Sequence, residues 1–241
     1  MSAPKPARGP AWLVLPTYEE ATNIERVVEQ ARAKLPDDAQ VLIVDDNSSD
    51  GTGEIAARLE GEHEGVHFLH RPRKEGLGPA YIAGFRRALA EGAGLIVEMD
   101  ADFSHEPAYL PRLLEAAERA DVVIGSRYVP GGGVSDWGPL RRAISHGGSI
   151  YARLVLGLGV HDLTGGFKCF RREVLEAIDL GAVRSRGYAF QVEMTYRATQ
   201  LGFEVVEVPI VFRDRQAGAS KMSRSIVLEA IWRVPLLRFG R

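Results

Sequence analysis

Two aspartates one residue apart, Asp100 and Asp102, close the segment LIVEMDADFSHEP at residues 95–107. The run before them is apolar enough to form a buried strand, which places the pair at that strand's carboxyl end. Carboxylates there are costly unless they pair, take up a proton or bind a cation. In an open α/β sheet that rim is also where ligands bind. The pair therefore points to a divalent cation, held by oxygen donors, that carries a phosphate-bearing substrate. Three other strand ends are polar in a matching way. They are Pro16-Thr17-Tyr18-Glu19-Glu20 with Asn23, then Asp45-Asp46-Asn47-Ser48-Ser49-Asp50-Gly51-Thr52, then Gly125-Ser126-Arg127-Tyr128. Four such ends on one rim are what a nucleotide pocket requires. Taken singly each has a plainer meaning: Asp50 and Thr52 suit a helix cap, and 45–51 suits a polar turn.

The elements that must position these residues appear as apolar runs alternating with helical stretches. Strands are expected at 12–15, 41–45, 66–69, 95–99 and 122–125, and helices at 20–35, 52–59, 79–90 and 107–119. Near-continuous rather than alternating hydrophobicity suits strands covered on both faces. In 79–90 the spacing of Ile82, Phe85 and Leu89 predicts one core-facing stripe. The alternation argues for an α/β fold with a mostly parallel sheet. The second half predicts a helix at 140–158 carrying Arg141, Arg142 and Arg153, strands at 166–170 and 205–212, and a helix at 188–201. No linker divides the chain, so a single catalytic domain is expected over 11–222. A disordered tail at 1–10 precedes it and an amphipathic helix at 223–241 follows it.

Composition narrows the class. A formal net charge of −2 over 241 residues gives no sign of a nucleic-acid partner. One cysteine, Cys169, excludes an internal disulfide framework and a cysteine-based zinc site. No apolar run reaches the ~18–20 residues that span a bilayer, and the N-terminus lacks the apolar core of a signal peptide. A cytoplasmic protein is the expectation. An EF-hand starting at Asp46 fails because its twelfth position is Ala57, and no Gly-x-x-x-x-Gly-Lys-Ser/Thr loop is present. The six histidines form no metal-ligand spacing, so His105 reads as a loop hydrogen-bonder. Glu193 reads as structural rather than as a base.

The segments PTYEEATN, VDDNSSDGT, EGLGPAYIAGF, MDADFSHEP, GSRYVPGG, DLTGGFK, GYAFQVEM and EVPIVFRDRQAGASKM resemble the polyprenol-phosphate mannosyltransferases of glycosyltransferase family 2. The resemblance runs in order over about residues 12–222. It implies a GT-A fold, GDP-mannose as donor, polyprenyl phosphate as acceptor, Mg²⁺ or Mn²⁺, and inversion at the anomeric carbon. By position, Pro16, Tyr18 and Glu20 would hold the donor's base and ribose, with Val44 and Asp46 closing that pocket. Asp100 and Asp102 match the metal-binding aspartates, Ala101 lies between them on the donor, and Ser104 follows as a further metal-side residue. Arg127, Arg215 and Lys221 match the basic residues on the donor phosphates and, with Asp102, the catalytic set. Arg141 and Ser145 match the acceptor-phosphate positions.

Two departures stand out. Glu19 replaces the family's usual Asn, and the C-terminal transmembrane region of some relatives is missing. The Gln-x-x-Arg-Trp of processive synthases is absent, which favours a single sugar transfer. A UDP-sugar-dependent glucosyltransferase and a catalytically silent nucleotide-binding relative are the alternatives. A lipid acceptor requires contact with a bilayer. Residues 223–239, SRSIVLEAIWRVPLLRF, read either as an interfacial helix with Trp232 at headgroup depth or as a helix docked on its own domain and broken at Pro235. Peripheral placement on the cytoplasmic membrane face is expected, with room for a membrane-protein partner.

Overall fold

Apolar runs in the first half alternate with helices, as their periodicities require. In the computed structural model, which describes residues 7–185, 187–213 and 224–239, they form β1 (Ala11–Thr17), α1 (Ile24–Arg32), β2 (Gln40–Asp45), α2 (Thr52–Glu62), β3 (Val66–His70), α3 (Leu77–Ala90), β4 (Leu95–Glu98), α4 (Leu110–Ala117) and β5 (Val122–Ser126). The second half adds β6 (Gly133–Val134), α5 (Pro139–Leu156), β7 (Lys168–Arg171), α6 (Arg172–Ala177), α7 (Gly187–Gln200), β8 (Val205–Pro209), β9 (Val211–Phe212) and α8 (Arg224–Phe239). Seven strands make one sheet in the order β3-β2-β1-β4-β7-β5-β8, and β6 pairs with β9 apart from it. All pairings in the large sheet are parallel except those of β7, which runs antiparallel to both β4 and β5.

Both faces of the sheet are covered, which accounts for the unbroken apolar strands. Trp12 and Val14 of β1 join Leu42, Val44 and Ile96 in a core under α3, α5, α6, α7 and α8. Their neighbours Leu13, Leu15, Ile43 and Val97 enter a second core under α1, α2 and α4. Helix α1 shows how sequence dictates its seat: Ile24, Val27, Val28 and Ala31 fall on one stripe and all four are buried. Helix α3 approaches the sheet so closely that a Cβ on Gly84 would lie 2.4 Å from Val14 Cγ1.

The structure adjusts several expectations. The buried stripe of α3 is Tyr81, Phe85 and Ala88, with Ile82 and Leu89 only half-buried, and Gly84 on the same face lets the helix approach the sheet. The expected strand 205–212 splits at Ile210, whose buried side chain packs on Gly125, and the chain then turns to pair with β6. Of the expected N-terminal tail, residues 1–6 lie outside the described residues, while Pro10 accepts a hydrogen bond from the Gly94 N–H at 2.9 Å. Helix α8 continues through Pro235 and packs on α5 and α7.

Strand β1 is hydrogen-bonded to β2 on one side and β4 on the other, while the chain passes from β1 to β2 first. That reversal is a topological switch point, and its carboxyl-end crevice lies between Thr17 and the Asp100 turn.

Candidate active site

Among the described residues, four non-glycine ones have left-handed backbones: Glu19, Asn47, Phe103 and Asp136, with φ of 55°, 62°, 61° and 62°. The first three follow β1, β2 and β4 at the crevice, where strained turns re-aim side chains. Glu19 sits in a conformation that Asn tolerates better, which gives its departure from the family pattern a physical meaning. Its N–H donates to Ser48 Oγ at 2.8 Å and so ties the first rim to the second.

At the first rim, Pro16 and Tyr18 are half-buried and Lys74 Nζ lies 3.5 Å above the Tyr18 ring. Glu20 accepts from Asn23 Nδ2 at 2.9 Å. At the second rim Val44 is fully buried in the core under α3, so its side chain faces away from the crevice. Asp46 is also buried, and its carboxylate accepts from Arg71 and from the N–H groups of Glu75 and Gly76 at 2.9 and 2.7 Å. It anchors the 71–76 loop. Its neighbour Asp45 accepts from Ser48 N, Ser48 Oγ and Thr17 Oγ1. Asp50 accepts from the Thr52 N–H at 3.1 Å, while the N-cap position of α2 itself is Gly51 rather than Asp50 or Thr52.

At the third rim, Asp102 is buried and accepts from the Ser104 N–H at 3.0 Å, with Ala101 buried between the two acids. Asp100 is more open and accepts from Tyr81 Oη at 3.2 Å. Burial, then the negative field of Asp100, raises the Tyr81 phenol well above its usual range, so it remains a donor. His105 accepts the Asp100 N–H on Nδ1 at 3.2 Å and packs on Phe167 and Phe212, a loop-bracing role. Asp100, Asp102 and Ser104 offer oxygen donors, and Ser104 Oγ is buried with no hydrogen-bond partner among the described residues. This donor set fits a hard divalent cation. Among the described residues, no cluster of three or more His, Cys, Asp or Glu side chains could hold a metal.

Arg127, at the fourth rim, is buried and gripped by Asp162. Its Nε and Nη2 donate to the two carboxylate oxygens at 2.7 and 2.6 Å, and its N–H donates at 2.9 Å. Nη2 also reaches Thr164 Oγ1 at 2.8 Å. Burial pushes the Asp162 carboxyl up, but the charge and hydrogen bonds of Arg127 outweigh it and hold the group below its usual 3.8. The guanidinium is held charged by the same pairing, against the opposing effect of burial. Beneath the acidic turn lies a second buried pair, Glu98 and Lys168, 3.9 Å apart. Burial raises Glu98 to about 8 and lowers Lys168 to about 8, each opposed by the other's charge. Lys168 Nζ also donates to Gln191 O and Oε1 at 2.8 and 2.7 Å. Asp162, Thr164 and Lys168 carry no individual role in the sequence reading. Their only signal was the segment DLTGGFK.

Arg141 and Ser145 lie one turn apart on α5. The Arg141 guanidinium is 4.3 Å from the Trp137 ring centre, and Ser145 Oγ accepts from Tyr128 Oη at 2.8 Å. Arg215 and Lys221 lie outside the described residues. Glu193 accepts from the Ser185 N–H and pairs with Arg197, consistent with a structural part.

Helix α5 buries Ser149, Ala152 and Leu156 yet exposes Leu140, Ile144 and Leu154 by 73, 44 and 71% on another face. Its neighbour α8 buries Val234 and exposes Trp232, Leu236 and Phe239 by 74, 58 and 73%. Arg238 Nη1 ties the two helices through Val155 O at 2.6 Å. Among the described residues no helix is long and apolar enough to cross a membrane.

A mostly parallel sheet with an acidic turn at its switch point has the GT-A architecture, the fold of nucleotide-sugar transferases. The chain belongs to glycosyl transferase family 2, whose sequence profile matches residues 12–179. It is 51% identical over 227 residues to an undecaprenyl-phosphate mannosyltransferase of Micrococcus luteus, covering 94% of this chain and 92% of that protein. It is 49% identical over 224 residues to a polyprenol monophosphomannose synthase of Mycolicibacterium smegmatis, covering 92% and 84%. Among solved structures it resembles glucosyl-3-phosphoglycerate synthase from Mycobacterium tuberculosis in complex with Mn²⁺ and uridine-diphosphate-glucose. The TM-score is 0.70 at 19% identity, over 96% of this chain and 79% of that one. At that identity the likeness carries the fold alone.

Proposed function

We propose that the chain transfers one mannosyl residue from GDP-mannose to polyprenyl phosphate, with inversion. The observation that carries this reading is the acidic turn at the switch point, in a chain about half identical to two mannosyltransferases of that type. Attack by an acceptor phosphate oxygen on the anomeric carbon breaks its bond to the donor's diphosphate, and GDP departs with the electron pair. A phosphate monoester has a second pKa near ~6, so the acceptor is largely ionised at neutral pH and requires no strong general base. What the reaction needs instead is positioning of the phosphate and neutralisation of charge on the leaving group.

Tyr18, with Pro16 and Glu20, takes the nucleoside end, and Asp46 shapes that end by holding the 71–76 loop. Asp100, Asp102 and Ser104 would hold Mg²⁺ or Mn²⁺. When bound, such a cation supplies positive charge to the departing diphosphate. Arg215 and Lys221 add to that charge. Arg127, charge-paired with Asp162, braces the fourth rim beside the donor phosphates. Arg141 and Ser145 receive the acceptor phosphate. The apolar stripes of α5 and α8 rest on the bilayer surface that supplies the lipid, with Trp232 in the headgroup layer.

The test offers radiolabelled GDP-mannose and UDP-glucose separately, with polyprenyl phosphate and with or without divalent cation. Metal-dependent appearance of mannose in the lipid fraction, abolished by Asp102→Ala, is the expected result. Preferential glucose transfer, or no transfer from either donor, would overturn the proposal.

A further inference from the structure

The hydroxyl of Ser145 on α5 is hydrogen-bonded to that of Tyr128, a residue with no part in the site described above. Ser145 has one O–H to donate and two lone pairs to accept with. One lone pair is filled by Tyr128 Oη at 2.8 Å, which leaves the proton of half-buried Ser145 available to a second partner. With Arg141 one turn earlier on the same helix, an oxyanion seated there would accept that proton.

Tyr128 is itself held firmly. It follows Arg127 on the turn after β5, its N–H reaches Ser126 Oγ at 3.3 Å, and its ring stacks on His146 with centres 4.6 Å apart. A second tie repeats the arrangement one helical turn on, where Ser149 Oγ meets Thr164 Oγ1 at 3.2 Å and Thr164 accepts from Arg127. Helix α5 therefore hangs from the Arg127–Tyr128 turn at Ser145 and, through Thr164, at Ser149. Burial raises the Tyr128 phenol against the opposing charge of Arg127, so it stays a donor across neutral pH.

Resting on the acceptor-phosphate reading of Ser145, we infer that Tyr128 is a positioning residue for the acceptor. By donating to Ser145 Oγ it aims the Ser145 O–H at the phosphate of the prenyl lipid. This role belongs to the acceptor half of the reaction and leaves the nucleotide half untouched.

A double-mutant cycle with Tyr128→Phe and Ser145→Ala tests the assignment, using a short-chain prenyl phosphate and GDP-mannose. Direct prenyl-phosphate binding is measured by calorimetry beside the turnover. Tyr128→Phe keeps the ring stack and removes one hydroxyl. It should raise the KM and Kd for prenyl phosphate about fivefold to tenfold, while the KM for GDP-mannose stays within about twofold. Ser145→Ala should cost a similar factor, and adding Tyr128→Phe to it should cost no more. Multiplying losses in an active enzyme would overturn the inference, as would a Tyr128→Phe effect on the donor KM of equal size. If Tyr128→Phe lowers the folded yield, Ser145→Ala alone still decides, since an unchanged prenyl-phosphate Kd leaves Tyr128 nothing to position. Failure of the wild-type chain to bind prenyl phosphate would overturn the proposed function and this inference together.

Discussion

Replacing Asp162 with Asn should destabilise the protein severely, and the size of the effect follows from the Arg127 fork. Three N–H donors converge on the carboxylate at 2.6–2.9 Å, and the two side chains are 4 and 0% exposed. An amide retains one acceptor and turns an NH₂ toward the guanidinium, setting donor against donor around a charge that cannot shed its proton. Removing one partner of a buried pair costs about 3–5 kcal/mol, a large part of a typical total of about 5–15 kcal/mol. At a urea slope of about 3 kcal/mol/M, the unfolding midpoint should fall by about 1–1.7 M, read from tryptophan fluorescence.

The double variant Arg127→Met with Asp162→Leu removes both charges. It should recover most of the lost stability without recovering transfer activity, because a buried pair is often replaceable by apolar groups. The pH dependence has a definite sign. Asp162 is held below its usual 3.8, so its contribution is complete above about pH 4 and is lost as pH falls through the folded value. The wild type should therefore lose stability on acidification more steeply than the double variant. Equal losses in the single and double variants, or a single-variant loss under about 1 kcal/mol, would refute the buried-pair reasoning.

Gly84→Ala should lower stability by about 1–2 kcal/mol in the same urea titration, since overpacking against Val14 exceeds the roughly 1 kcal/mol gain in helix propensity. A higher midpoint would show that α3 is free to move outward. Glu19→Asn should raise Tm by about 1–3 °C by relieving the left-handed backbone, and a calorimetric Tm at or below wild type would contradict the strain argument. Trp232→Ala with Leu236→Ala should weaken co-sedimentation with anionic liposomes at least about tenfold, because two exposed apolar side chains lose their seat in the interface. Unchanged sedimentation would remove α8 from the membrane contact.

Most of the alternation of strands and helices was legible because burial on both faces of a parallel sheet leaves unbroken apolar runs such as 41–44 and 95–97. Asp100 and Asp102 were legible for a related reason. Acids ending a greasy run are chemically conspicuous, and their place on the rim follows from strand length alone. The sequence by itself thus determined the α/β class, the acidic turn and the family motifs.

Tertiary structure decided which way strands run and which polar groups are already spoken for. Nothing in Lys168–Arg171 says that it inserts antiparallel between β4 and β5, because direction depends on where the preceding loop returns the chain. Nothing in Asp46 says that it anchors the Glu75 and Gly76 amides. Nor does the spacing of Arg127 and Asp162, or of Tyr128 and Ser145, announce a contact. Those pairs join residues 35 and 17 positions apart, and only the folded chain brings the turn after β5 within hydrogen-bond reach of the 157–167 loop and of α5. Periodicity is a local property that a sequence displays openly. Partnership between distant polar groups is a property of the folded chain.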